Sequence, residues 1–300
     1  MKNKTKKLAV VSGLTIAAIY AYNKFVETTA TRKNLLKTEN GTYFEWKHGN
    51  IFYTKQGNGS PVLLIHDTDS RSSGAEWSKI NKKLSKNHTV YTIDLIGCGR
   101  SDKPKIKYTN YLYVLLITDF VKNIIKDKTD VIATNLSTSF VIMANNLDTN
   151  LFNKIILINP ISLKDMESIP DKKKQLIQTL INMPVIGTFL YNLHMNPAKI
   201  DIVFRLKYFS RMQLISTKLE DTYYESAHLG KSNGKYLYSS IIANYLNMNM
   251  VHAIKNIDVM DKYHILNSNI VITHVSNSKL YPQLEIPEKT LSIIKANLDK

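Results

Sequence analysis

The chain has one cysteine, Cys98, in 300 residues. No intrachain disulfide framework is therefore possible. That fits a cytosolic protein, and equally an extracytoplasmic protein from a bacterium that does not rely on disulfides. H-E-x-x-H and C-x-x-C are both absent and the histidines are spread out, so no metal site is expected. There is no glycine-rich phosphate loop and no internal repeat, and no cofactor is expected. Acidic residues are also scarce: 24 face 40 basic ones, for a net charge of +16 and a pI near 9.6. Nucleic acid is an unsupported partner nonetheless. Lys82, Lys83, Lys86, Lys103, Lys105, Lys107 and Lys172 to Lys174 are scattered, arginines are few, and no helix-turn-helix, zinc-finger or RNP pattern occurs. Anionic lipid is a better match, each lysine near a membrane surface adding ~1 kcal/mol. A compositional drift toward Lys, Asn and Ile accounts for the same charge.

What is present is globular: 44% apolar and 21% charged residues. Lys2, Lys4, Lys6 and Lys7 precede an uncharged run from Leu8 to Asn23, LAVVSGLTIAAIYAYN. Its sixteen residues fall short of the ~20 that span a bilayer. Ser12, Gly13 and Thr15 weaken it, whereas Tyr20 and Tyr22 stand where an interfacial belt would. Residues 1–27 are read as a single-pass membrane anchor. A cleaved signal peptide and an ordinary buried helix are the alternatives. The lysines before the run favour an extracytoplasmic body, while Lys24, Arg32, Lys33 and Lys37 after it leave the side open.

Beyond a polar linker the pattern alternates. Tyr43 to Trp46 and Ile51 to Tyr53 read as a hairpin. Val62 to Ile65, Val90 to Leu95, Val131 to Ala133, Ile155 to Ile158 and Ile270 to Val275 read as strands. Helices are expected over Trp77 to Leu84, Tyr111 to Ile125 and Ser137 to Leu147. Strands alternating with helices give an α/β fold with a mostly parallel sheet covered on both faces. From Pro160 to Val251 only helical signal remains, so the chain divides into a core of 41–160 and 252–300 and a helical lid inserted at 161–251.

Three segments carry a resemblance. Ser60 to His66 looks like a third strand and oxyanion loop. Asp94-Leu95-Ile96-Gly97-Cys98-Gly99-Arg100-Ser101-Asp102-Lys103-Pro104 matches D-L-x-G-x-G-x-S-x-x-P. Pro282-Gln283-Leu284-Glu285 looks like the last loop and helix start. In this order they resemble the α/β-hydrolase superfamily over residues 41 to 298, and within it the membrane-anchored hydrolase-like proteins of low-GC Gram-positive bacteria.

The resemblance implies a serine nucleophile on a G-x-S-x-G turn, where glycines relieve crowding. Asn135-Leu136-Ser137-Thr138-Ser139 is the expected turn, with Ser137 at the nucleophile position and no glycine. The oxyanion hole would use the Thr138 N–H and one from the loop after His66, where His66-Asp67 replaces His-Gly. His66 itself reads as structural. An H-x-P-x-L-E motif would put the base at 280, which is Leu280; His252, His264 and His274 have no motif support. The acid is equally doubtful. Only twelve residues separate Asn256 from Asn269, too few for a parallel strand, an acid loop and a crossover, so the seventh strand reads as degenerate or missing. Asp165 is an acid by analogy, and Asp258 and Asp261 read as surface residues. Two readings follow: a carboxylic-ester serine hydrolase by descent with little or no activity left, acting on a lipophilic ester, and a non-catalytic relative that binds a lipid or a partner.

Overall fold

A computed structural model describes residues 2–248, 265–267 and 269–298. Helix α1, Lys2–Thr31, leads into a hairpin of β1, Gly41–Trp46, and β2, Gly49–Gln56. Strands β3, Pro61–Ile65, and β4, Thr89–Ile93, follow, then helix α2, Asn110–Phe120, strand β5, Thr129–Asn135, helix α3, Ser137–Leu147, and strand β6, Phe152–Pro160. A helical segment comes next: α4, Lys172–Asn182; α5, Ile186–His194; α6, Thr217–His228; α7, Gly234–Ile242. The chain ends in β7, Ile265–Asn267, β8, Ile270–Thr273, and α8, Pro287–Leu298. The sheet runs β1-β2-β4-β3-β5-β6-β8-β7. Its five central strands are parallel, and β1, β2 and β7 complete it as antiparallel edges.

The continuous apolar strands bury both faces, as strands of a covered parallel sheet must. Alternate residues go to opposite sides. Leu63, Ile65, Val131, Ala133, Ile155 and Leu157 pack with α2 and α3. Val62, Leu64, Ile132, Ile156 and Ile158 pack with Trp77, Ile80, Leu84 and the Leu291, Ile294 and Leu298 face of α8. The single helix expected from Trp77 to Leu84 is two short turns instead, Gly74–Trp77 and Asn81–Leu84.

The eleven-residue match around Asp94 is structural. The buried Asp94 carboxylate accepts from the Gly74 nitrogen at 2.7 Å and from the Arg100 guanidinium at 2.7 and 2.8 Å. Gly99, at φ +46°, lies so close that a Cβ there would come within 2.2 Å of that carboxylate.

Two expectations need correction. A strand does stand in the stretch read as having no room for one. β7 is three residues long and pairs antiparallel with β8, and an antiparallel neighbour needs a turn rather than a crossover of a dozen residues.

The single-pass anchor is also overturned. Among the described residues no single helix is long and apolar enough to cross a membrane. The apolar run of α1 is interrupted by Ser12, Gly13 and Thr15 and stops at Asn23, where the helix joins the body. Asn23 Nδ2 donates to the Val185 carbonyl at 2.9 Å, its Oδ1 accepts from Asn192 Nδ2 at 3.0 Å, and Val26 and Ala30 are buried.

Candidate functional site

The site forms where β5 gives way to α3, at the carboxyl ends of the parallel strands, the end of an open α/β sheet where ligands bind. Asn135 is the last residue of β5 and has φ +44°. Asparagine tolerates this left-handed region better than most residues. Leu136 returns to right-handed angles and α3 starts at Ser137. The tight turn therefore centres on Asn135, two residues before the expected nucleophile. Around it the chain reads Ala133-Thr134-Asn135-Leu136-Ser137, with small residues two places to either side. The small-x-x-x-small spacing was present in the sequence, centred on a residue with no nucleophilic oxygen or sulfur.

Ser137 is fully buried and engaged twice. Its hydroxyl donates to the His66 carbonyl at 2.6 Å and accepts from Thr68 Oγ1 at 2.7 Å. It is the first residue of α3, beneath the turn. Thr138 Oγ1 donates to the Asn135 carbonyl at 2.5 Å. The turn N–H that meets a carboxylate belongs to Leu136, the residue after the turn centre, and not to Thr138.

That carboxylate is Asp67, which points inward and is 4% exposed. Oδ1 accepts the Thr68 N–H at 2.7 Å and the Leu136 N–H at 3.2 Å. Oδ2 accepts Asn135 Nδ2 at 3.0 Å and the Tyr281 hydroxyl at 2.9 Å. One donor from the loop after β3 and one from the residue after the turn are the pair that forms an oxyanion hole in this architecture. Here the Asp67 side chain accepts from both. Burial pushes the Asp67 carboxyl up to about 6. Its own N–H donates to Glu76 Oε2 at 3.0 Å, and Glu76 Oε1 accepts from Thr134 Oγ1 at 2.5 Å and Gln283 Nε2 at 2.6 Å. Burial first, then the nearby Asp67 charge, push Glu76 up to about 8. Glu76 and Tyr281 had no sequence signal, since each is placed by an element distant along the chain.

His66 is structural. Its Nε2 accepts the Leu95 N–H at 3.0 Å, so Nδ1 carries the proton to the Asp67 carbonyl at 2.6 Å. Burial lowers its pKa and keeps the ring neutral. Over Asp67 sits an aromatic group of Phe204, Tyr208, Phe209, Tyr223 and Tyr281, each at most 3% exposed.

Beside the turn a cavity of about 710 Å³ is lined by Asn135, Asn159, Asp165, His274, Lys279 and Leu280, among others. It gathers Asp165 and Leu280 with Asn135, and leaves out Ser137 and Thr138. Leu280 offers no proton acceptor. Asp165 is exposed, with its carboxylate on the Ser162 hydroxyl at 2.7 Å. His252, His264, Asp258 and Asp261 lie outside the described residues. No group of three or more His, Cys, Asp or Glu among the described residues is arranged to hold a metal.

A turn of this kind, at the end of the middle parallel strand and facing a β3 loop, defines an α/β-hydrolase fold. A bromoperoxidase from Bacillus anthracis superposes with a TM-score of 0.66 at 13% identity, covering 87% of this chain and 100% of its own. A membrane phospholipase A described as a bacterial virulence factor gives 0.63 at 14%, covering 100% and 98%. In sequence, a 2-hydroxy-6-oxo-6-(2'-aminophenyl)hexa-2,4-dienoic acid hydrolase from Metapseudomonas resinovorans is 26% identical over 113 residues, 37% of this chain and 39% of the relative. The chain thus matches well under half the length of that curated relative. No family model matches. The chain has the α/β-hydrolase fold.

Proposed function

We propose that this chain is a non-catalytic member of the superfamily, which keeps the fold as a binding scaffold and does not turn over esters. One observation carries the reading: the Asp67 carboxylate accepts both the Thr68 and the Leu136 N–H. An oxyanion hole works by offering unoccupied donors to charge that develops in the transition state. Donors already satisfied by a fixed carboxylate cannot do this, and the carboxylate repels a second negative charge. Asn135 at the turn has no nucleophilic hydroxyl or thiol, and Leu280 removes the base. The ligand proposed for the cavity beside Asn135 is a small molecule with both apolar and polar groups, because Pro160, Ile161, Val275 and Leu280 line it together with Asn159, Asp165, His274 and Lys279.

The rival is a carboxylic-ester hydrolase working through Ser137, favoured by the hydrolase named among the relatives. It requires the Ser137 hydroxyl to leave the His66 carbonyl and to find a base. Labelling with a fluorophosphonate probe separates the two. The expected result is no adduct, and p-nitrophenyl ester turnover equal to that of Ser137→Ala. A covalent adduct that disappears in Ser137→Ala would overturn the proposal.

A further inference from the structure

A second cleft lies far along the chain from the turn, between α1, the bend joining α4 to α5, and the start of α7. Its volume is about 240 Å³. Ligand pockets for drug-sized molecules run from about 300 to 1,000 Å³, so this one suits a small ion or headgroup. Its walls carry four lysines, Lys24, Lys105, Lys231 and Lys235, and one acid, Glu27. Four positive charges less one negative leave +3 around a small volume. Lys24 pairs with Glu27 at 3.1 Å, and among the described residues it is the only one of the four in an ion pair.

Lys235 is the built part of the cleft. The residue is 3% exposed, and its ammonium donates to the Met183 carbonyl at 2.8 Å and to Thr188 Oγ1 at 3.0 Å. Both acceptors are neutral, and an ammonium has three donors. The ammonium also lies over the Tyr236 ring, 5.1 Å from its centroid, and none of these three partners is a counter-ion. Buried charges are ordinarily paired. Burial, and then the like charge of Lys105, lower the Lys235 pKa to about 8, the direction expected of an uncompensated cation.

We infer that this cleft is an anion site for a phosphate group, with Lys235 at its floor and Lys105 and Lys231 at its rim. A phosphate carries up to two charges and several strong acceptor oxygens, and lysine binds it as a point charge. That matches +3 better than a monovalent carboxylate does. A ligand held between Lys24 of α1 and Lys231 and Lys235 would also tie α1 to the body. The phosphate could be free or part of a lipid headgroup.

The test is isothermal titration of the full chain with inorganic phosphate and, separately, with acetate, together with co-sedimentation on phosphatidylglycerol and phosphatidylcholine vesicles. The variant is Lys105→Ala with Lys231→Asn. Both side chains are exposed, and Asn suits the φ of +60° at 231. The control is Lys82→Ala with Lys86→Ala, which removes the same charge elsewhere. Support is phosphate binding, or phosphatidylglycerol-selective sedimentation, that falls at least tenfold in the variant and less than twofold in the control. Binding of phosphate itself assigns a soluble source, and sedimentation without it assigns the headgroup. Three results overturn the inference: no binding in either arm, acetate binding as well as phosphate, or equal losses in variant and control. Ester-probe labelling is unaffected by any of these, so the reading of the turn stands or falls separately.

Discussion

The Asp67 carboxylate holds the Leu136 N–H at 3.2 Å, the same backbone donor that an active relative would turn toward its substrate. Removing the carboxylate therefore empties a preformed anion site. In Asp67→Ala the donors of Thr68, Leu136, Asn135 and Tyr281 lose their acceptor together. A buried donor left unsatisfied costs about 1–3 kcal/mol, and relief from burying the charge offsets part of the sum. The expected loss is about 3 kcal/mol by urea unfolding. Acetate or formate should bind in the vacated space and raise the melting temperature of the variant in proportion to ligand occupancy, without affecting the parent chain. An unchanged variant melting temperature in high acetate would count against the preformed site.

Restoring chemistry should need three changes together. Asn135→Ser supplies a hydroxyl at the turn and Leu280→His a base, but Asp67 would still fill the oxyanion hole. Losing one oxyanion donor alone costs about 10²–10³ in rate. Asn135→Ser with Leu280→His should stay unlabelled by fluorophosphonate, and adding Asp67→Gly should produce an adduct on residue 135. An adduct in the double variant would mean that Asp67 does not block the site.

The parallel sheet was legible because its strands are short apolar runs bounded by turns, and the Asp94 segment because its spacing is written in one stretch. The left-handed turn stands at Asn135, two residues before Ser137. Ser137 is marked in the sequence by its residue type, whereas the left-handed backbone of Asn135 is a property of conformation and not of composition. Asp67 was visible as the replacement of a glycine, but its direction was not, since that depends on Tyr281 more than two hundred residues away. β7 is not legible because its three residues pair antiparallel with β8, an arrangement that needs only a turn and leaves no crossover spacing to read.

The buried carboxyls predict an inverted pH response. Glu76 is raised from an ordinary 4.5 to about 8, and Asp67 from 3.8 to about 6. A group whose folded pKa exceeds its unfolded one contributes most below the unfolded value and loses that contribution as pH rises through the folded one. Stability should therefore fall between pH 5 and 8, by an amount on the order of a few kcal/mol. Asp69 and Asp94 are held below the usual range, so their losses fall at more acidic pH. Glu76→Gln should flatten the melting profile from pH 5 to 8. A profile as steep as that of the parent would show that Glu76 is not the titrating group.

Asn23 tests how α1 is held. It is 7% exposed and bonds both to the Val185 carbonyl and to Asn192, so it joins the helix to the start of α5 and to its interior. Asn23→Ala leaves one donor and one acceptor without it, at about 1–3 kcal/mol for the group that water cannot reach. Neighbouring contacts are modest: the Tyr22–Phe189 edge contact at 5.4 Å and the buried Val26 and Ala30. The loss should therefore appear as local release of α1 rather than global unfolding. Trypsin should cut after Lys24, Arg32 or Lys33 roughly tenfold faster in the variant, while the urea midpoint for the sheet stays in place. Equal cleavage rates would mean that the helix is held by its apolar face alone.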